Sequence, residues 1–162
     1  NVPYEWTPNR ICHYLDECGL ANAYDLVHVP IDLDRMDLSR GSNMGYFFVN
    51  FVDAAGASRC GRLLEAYDMG MWRHIEVRDA RWQGREAYRA RCHQKLASGG
   101  AEQIMSIRLG VLPFSANGAR MPLEDWLELP DFPSLHDLAP AVAARARVVP
   151  IMGKWASDFW CK

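Results

Sequence analysis

The feature that most constrains the fold is the run of residues 44–51, Met-Gly-Tyr-Phe-Phe-Val-Asn-Phe, in which large side chains occupy almost every position. Side chains alternate between the two faces of a β-strand, so Tyr46, Phe48 and Asn50 are expected on one face and their neighbours on the other. One row can fill a core. The other row leaves two aromatic rings on the open face of a sheet, where they can stack on nucleic-acid bases. A strand buried on both faces would show the same pattern, and the pattern leaves both interpretations open.

The segments around this strand alternate between extended and helical patterns. In residues 24–31, which are rich in β-branched and aromatic side chains, Val27 and Val29 are expected to face the core, with Leu26 and His28 on the opposite face. The predicted elements are, in chain order, a strand end at 1–3, a helix at 8–18, strands at 24–31 and 45–51, a helix at 54–66, a strand at 75–78 and a helix at 85–95. This order predicts an α+β fold of ferredoxin-like type, βαββαβ with an extra C-terminal helix.

The character of the chain changes near residue 96. Ser98-Gly99-Gly100 is a linker signal, and prolines are frequent beyond it. We therefore predict a domain at residues 1–95 and a partly irregular extension at 96–162, with short helices near 102–109 and 138–148. The tryptophan-containing segment 155–160 is interpreted as a tail packing on the domain rather than a peptide-recognition motif.

Charge is distributed unevenly along the chain. The net charge of -2 offers no general attraction for nucleic acid or for an anionic membrane. Residues 73–95, however, hold seven basic and three acidic side chains. This excess predicts a local phosphate-binding patch, for which Arg78, Arg81 and Arg85 are candidates. A solvated helix face with internal ion pairs explains the excess equally well.

Several functional classes lack their sequence signals. The five cysteines form no C-x-x-C pair, which predicts no metal site, and reduced thiols are typical of proteins of the nucleus or cytoplasm. The apolar runs are too short to cross a membrane. Phosphate-binding-loop, nucleophile-elbow and zinc-protease motifs do not occur, so we expect neither catalysis nor a cofactor.

Residues 44–51 also resemble the octamer of the RNA recognition motif, with Gly45, Tyr46 and Phe48 at matching positions. Met44 stands where that octamer usually has a basic residue. Other stretches extend the likeness to the C-terminal RNA recognition motif of the mei-two-like (meiosis regulator) family. These stretches are residues 1–7, 24–32, 43–51 and 80–84, within a similar region that covers residues 1 to about 95.

The resemblance implies single-stranded RNA binding without catalysis, in an RNA recognition motif whose first strand is truncated because the chain starts inside it. It implies that Tyr46 and Phe48 are the stacking aromatics and that Asn1 ends the first-strand hexamer. On the same sheet face, His28 and Asn50 are expected to add hydrogen bonds to the bases.

A peptide-binding role is the alternative, because some domains of this type bind proteins rather than RNA. The neutral Met44, the acidic loop at 32–37 and the tryptophans of the extension favour it. A protein partner would then bind through residues 96–162. Salt dependence separates the two roles, since RNA binding weakens with salt in proportion to the phosphates contacted.

Overall fold

The computed structural model describes residues 2–33, 43–67, 75–138 and 140. Several predictions fall elsewhere. Most of the acidic loop at 32–37, most of the predicted helix at 138–148 and the segment 155–160 lie outside the described residues.

The first two helices begin where the sequence predicts. In helix α1, Pro8–Leu15, the Thr7 hydroxyl accepts a hydrogen bond from the Arg10 amide at 3.2 Å. α1 continues into a π-helical turn, Asp16–Leu20, in which Gly19 adopts a φ of 73°. Helix α2, Ala54–Glu65, is capped by an Asp53 carboxylate oxygen that accepts from the Gly56 amide at 2.7 Å.

Three strands form an antiparallel sheet in the order β2-β1-β3. The strands are β1, Tyr24–His28; β2, Phe48–Phe51; and β3, Val111–Pro113. Central strand β1 places Val27 opposite Val49 of β2 and opposite Leu112 of β3. The predicted extension at 96–162 therefore supplies one strand of the sheet.

Three further helices follow: α3, Arg85–Ser98; α4, Ala101–Gly110; and α5, Leu123–Leu127. The helices predicted at 85–95 and 102–109 correspond to α3 and α4. α4 runs directly into β3, and the Val29 amide donates a hydrogen bond to the Gly110 carbonyl at 2.8 Å. This bond fixes the end of α4 beside the end of β1.

Each face of the sheet carries its own core. The first core packs α1 and α2 against Val27 of β1 and against Val29, which follows the strand. The second core joins Leu26 of β1 to α3, α4 and α5, and its other buried members are Tyr88, Cys92, Ile107, Val111, Leu123, Trp126, Leu127 and Phe132. The predicted alternation of β1 is confirmed, but helices cover part of the face that was expected to be open.

The strand predicted at 75–78 is absent as a strand, although Ile75 is buried in the first core. Among the described residues, no strand pairs with the outer edge of β2. A cleft of about 800 Å³ lies along that edge and is also lined by α2, by residues 75–80 and by Val2. We call it the edge cleft. The described residues form a mixed α+β fold with a three-stranded antiparallel sheet.

Candidate nucleic-acid interface

Four aromatic rings, called the aromatic row, pack together on the sheet face that carries the second core. Tyr46 meets Phe48 edge-on at 5.6 Å between ring centroids, and Phe48 stacks on His28 at 5.9 Å. Tyr88 of α3 completes this aromatic row, 5.5 Å from His28 and 6.0 Å from Phe48. Tyr46 is 45% exposed at the open end, whereas Phe48 is half-buried and Tyr88 is buried. A planar ligand can therefore reach Tyr46 most freely.

His28 is a buried and neutral member of this row. Its Nδ1 shares a hydrogen bond with the Tyr88 hydroxyl, which is supplied by α3. Burial, with a smaller contribution from the positive charge of Lys95, lowers the pKa of His28 to about 3. His28 consequently brings no charge to the sheet face at neutral pH.

A second cleft, of about 440 Å³, lies between the aromatic row and the α3–α4 pair. We call it the α3 cleft. Its lining residues are His28, Pro30, Met44, Tyr46, Phe48, Trp82, Tyr88, Arg91, Lys95, Ser98, Gly99, Gln103, Ser106 and Ile107. Arg91 and Lys95 are the charged members of this lining, and no described Asp or Glu belongs to it. Its electrostatic character is positive in a chain whose net charge is negative.

Arg91 is held against Trp82 on one wall of the α3 cleft. The guanidinium carbon of Arg91 lies 4.8 Å from the centroid of the Trp82 ring, and that of Arg81 lies 5.2 Å from the same centroid. Arg91 donates one hydrogen bond to the Gln94 side chain at 2.7 Å. Its Nε is buried and has no hydrogen-bond partner among the described residues. One donor of this guanidinium thus remains unused.

Three of the remaining predicted site residues make contacts within the protein. The Asn50 amide donates to the Asp25 carboxylate at 2.7 Å. Arg78 forms an exposed ion pair with Glu76, outside the α3 cleft. Arg85 donates to the Phe114 carbonyl at 2.8 Å and so ties α3 to the segment after β3.

The structure brings Tyr46, Phe48 and His28 together at one site, and Arg81 reaches its wall through Trp82. It does not bring Asn50, Arg78 or Arg85 into the α3 cleft lining. Asn1 lies outside the described residues.

Sequence reasoning missed four residues of the cleft: Trp82, Tyr88, Arg91 and Lys95. The last three recur at i, i+3 and i+7, the spacing of one helix face. This helical spacing could have identified the three residues. The count of charges along 73–95 does not separate basic residues that share a helix face from the others. In the structure, Arg89 pairs with Glu86 and Glu128, away from this cleft.

In the described ranges, no three His, Cys, Asp or Glu side chains meet as metal ligands would. Within the same part of the chain, no helix combines the length and the apolar character needed to cross a bilayer.

Comparison with known proteins points to one family. The chain is 35% identical over 106 aligned residues to Protein MEI2-like 7 of Oryza sativa subsp. japonica. The match covers 54% of this chain and 27% of the relative, so the chain spans about a quarter of the protein it matches. No family model matches the chain. This identity supports a Mei2-like relationship.

Proposed function

We propose that the protein is a non-catalytic, single-stranded RNA-binding module of RNA recognition motif type, acting in the nucleus or cytoplasm. The observation that carries the proposal is an exposed aromatic, Tyr46, at the mouth of a cleft lined by two cations and by no described carboxylate. Single-stranded RNA offers unstacked bases for the ring and phosphates for the cations. The Mei2-like relationship and the octamer at 44–51 support the same function.

In the proposed mechanism, a base stacks on Tyr46 while Phe48 forms the apolar floor beside it. RNA can reach only the open edge of the Phe48 ring, because His28 and Tyr88 contact the rest of it. Arg78, Arg81 and Arg85 remain predicted phosphate contacts, and Arg85 would have to exchange its bond to Phe114 for one to RNA.

The test is binding of a random-sequence RNA pool to the parent chain and to two variants at one position. Tyr46→Ala should weaken binding roughly 5- to 150-fold, the equivalent of about 1–3 kcal/mol of stacking. Tyr46→Phe keeps the ring and should bind like the parent. Equal binding by the parent and Tyr46→Ala would end the stacking proposal.

We further propose that the fold has the βαββαβ order, with its first strand in the edge cleft beside β2 and its last strand at residues 75–78. Two observations support this arrangement. The outer edge of β2 has no described strand partner, and the Val2 amide donates to the Gly45 carbonyl at 2.8 Å, just before β2. A strand leading into Val2 would run antiparallel to β2, between β2 and residues 75–80.

Hydrogen exchange tests this strand. The β2 amides that β1 leaves unpaired should exchange slowly, and removal of residues 1–3 should speed their exchange. The β1 amides serve as the internal control, because they already have partners on both sides. Unchanged exchange along β2 after this removal would mean that residues 1–3 do not hold a strand there.

A further inference from the structure

We propose that the α3 cleft is a pocket for a single unstacked nucleotide of the RNA, with the base toward Tyr46 and Phe48 and its phosphate on Arg91 and Lys95. Trp82 is then a positioning residue that holds the Arg91 guanidinium in the wall. This inference rests on the proposed function and adds residues to it that the octamer does not contain.

The size and shape of the cleft favour one nucleotide over a longer stacked strand. Its volume of about 440 Å³ lies in the lower part of the range for small-molecule pockets, roughly 300–1,000 Å³. Tyr88 packs against both His28 and Phe48, so a second base cannot stack on the part of the face that these two rings form. A ligand in this position must leave the stack of its neighbours.

The two walls of the cleft match the two parts of a nucleotide: one wall is aromatic, as a base requires, and the other is cationic, as a phosphate requires. The sheet wall offers the rings of Tyr46 and Phe48, while the helix wall offers two cations one helical turn apart. His28 also lines the cleft. It is neutral at physiological pH, so it does not compete with Arg91 and Lys95 for the phosphate. Ser98, Gln103 and Ser106 add neutral polar groups suited to hydrogen bonding with a sugar or a base edge.

Arg91 is prepared for an anion by its surroundings. Its contact with Trp82 restrains the guanidinium, so less side-chain freedom is lost when a ligand binds. Its Nε is buried without a described partner, so the guanidinium is fixed in the wall and only its terminal nitrogens can meet a phosphate. An arginine whose role was only to keep the helix surface polar would leave its Nε exposed to water.

The experiment measures how the affinity for a short fluorescent RNA depends on salt. Loss of one phosphate contact lowers the slope of log K against log salt by about 0.7 for single strands. We expect that decrease for the double variant Arg91→Gln/Lys95→Gln, with a part of it and an affinity loss of about tenfold at low salt for each single variant. Arg91→Lys keeps the charge and should keep the slope. Arg10→Gln, at an exposed position of α1 outside the cleft, is the matched control and should change neither quantity.

Trp82 is tested with a pair of variants. Trp82→Ala should weaken binding by about fivefold, because the cation–π contact with Arg91 is lost, whereas Trp82→Phe should retain most of the affinity. Competition by a nucleoside monophosphate, but not by the nucleoside or by inorganic phosphate at equal concentration, identifies the single-nucleotide pocket.

Tyr46→Ala separates the two proposals. If it loses RNA while Trp82→Ala, Arg91→Gln and Lys95→Gln all bind with the parent's affinity and salt slope, the pocket is refuted and the RNA-binding function stands. If the parent and Tyr46→Ala bind RNA equally, the function itself is refuted. Effective competition by inorganic phosphate alone would reduce the site to an anion site and overturn the nucleotide assignment.

Discussion

Tyr88 decides how much of the sheet face a ligand can reach. Its ring contacts both Phe48 and His28, and its hydroxyl shares a hydrogen bond with His28. Burial raises the pKa of the Tyr88 hydroxyl, so the group is protonated at all physiological pH values. The contact of Tyr88 with His28 thus reduces the area on which an RNA base could stack, and it also gives the buried imidazole a hydrogen-bond partner.

We expect His28 to make stability dependent on pH. Its pKa is lowered from 6.5 in the unfolded chain to about 3 in the folded protein. Above pH 6.5 the imidazole is neutral in both states, so its contribution is complete. As pH falls toward 3 the unfolded chain binds a proton that the folded protein cannot, and the free energy of unfolding drops by up to about 1.4 kcal/mol per pH unit.

Urea unfolding at pH 7.5, 6.5 and 5.5 measures this dependence. His28→Gln should flatten the decrease between pH 6.5 and 5.5, and His136→Gln, at a side chain that is 99% exposed, should not. An identical decrease in the parent and in His28→Gln would assign the pH dependence to other groups.

At the scale of elements, the corner between α4 and β3 depends on Gly110. A Cβ on this residue would lie 2.2 Å from the Val29 carbonyl oxygen, a backbone atom that cannot move without disturbing β1. We expect Gly110→Ala to lower the free energy of unfolding by about 1–3 kcal/mol, the range for overpacking. Thermal or urea unfolding measures the loss.

Gly61→Ala is the matched control for that substitution. Gly61 lies inside α2, and an added Cβ would meet the Val77 side chain at an ordinary contact distance of 3.8 Å. The alanine variant should be as stable as the parent or slightly more stable. Equal losses at both glycines would mean that the corner is not closely packed.

Helices were predictable because their signals are local. The cap at Thr7-Pro8 and the cap at Asp53 begin α1 and α2 as expected. Strands depend on partners that a local pattern does not contain. Residues 75–78 alternate correctly but lie across the edge cleft from β2, without a described ladder partner. Residues 111–113 show too short a pattern to predict, and they form β3 because β1 is beside them.

The candidate site also has a part that local patterns predict and a part that they do not. The octamer predicted which rings share a face, since alternation is a property of one strand. It could not predict that α3 covers His28, because Tyr88 lies 60 positions away. Arg85 and Arg91 look equivalent in the sequence, yet one bonds to the segment after β3 and the other lines the α3 cleft.

At the scale of the whole molecule, β1 belongs to both cores. Leu26 packs into the second core while Val27 and Val29 pack into the first. The described part of residues 96–138 is therefore joined to the N-terminal elements by a shared strand as well as by chain connectivity. We expect the two cores to unfold together in one transition.

Trp126→Ala tests this coupling. Trp126 is 1% exposed within the second core, and its loss should cost about 3–5 kcal/mol. Hydrogen exchange should accelerate at β1 as well as at α5. Trp82→Ala, at a side chain that is 37% exposed, should leave both unchanged. Faster exchange confined to α5 would show that the second core opens independently.

The three-residue β3 also affects how the protein behaves at high concentration. A bare strand edge is a template for pairing with another molecule, and β1 would present one if β3 were absent. β3 covers it, and the edge that β3 presents in turn is three residues long and ends at Pro113, whose carbonyl already accepts from the Met121 amide at 2.9 Å. We therefore expect residues 111–113 to disfavour intermolecular β-pairing on this flank, apart from any ligand.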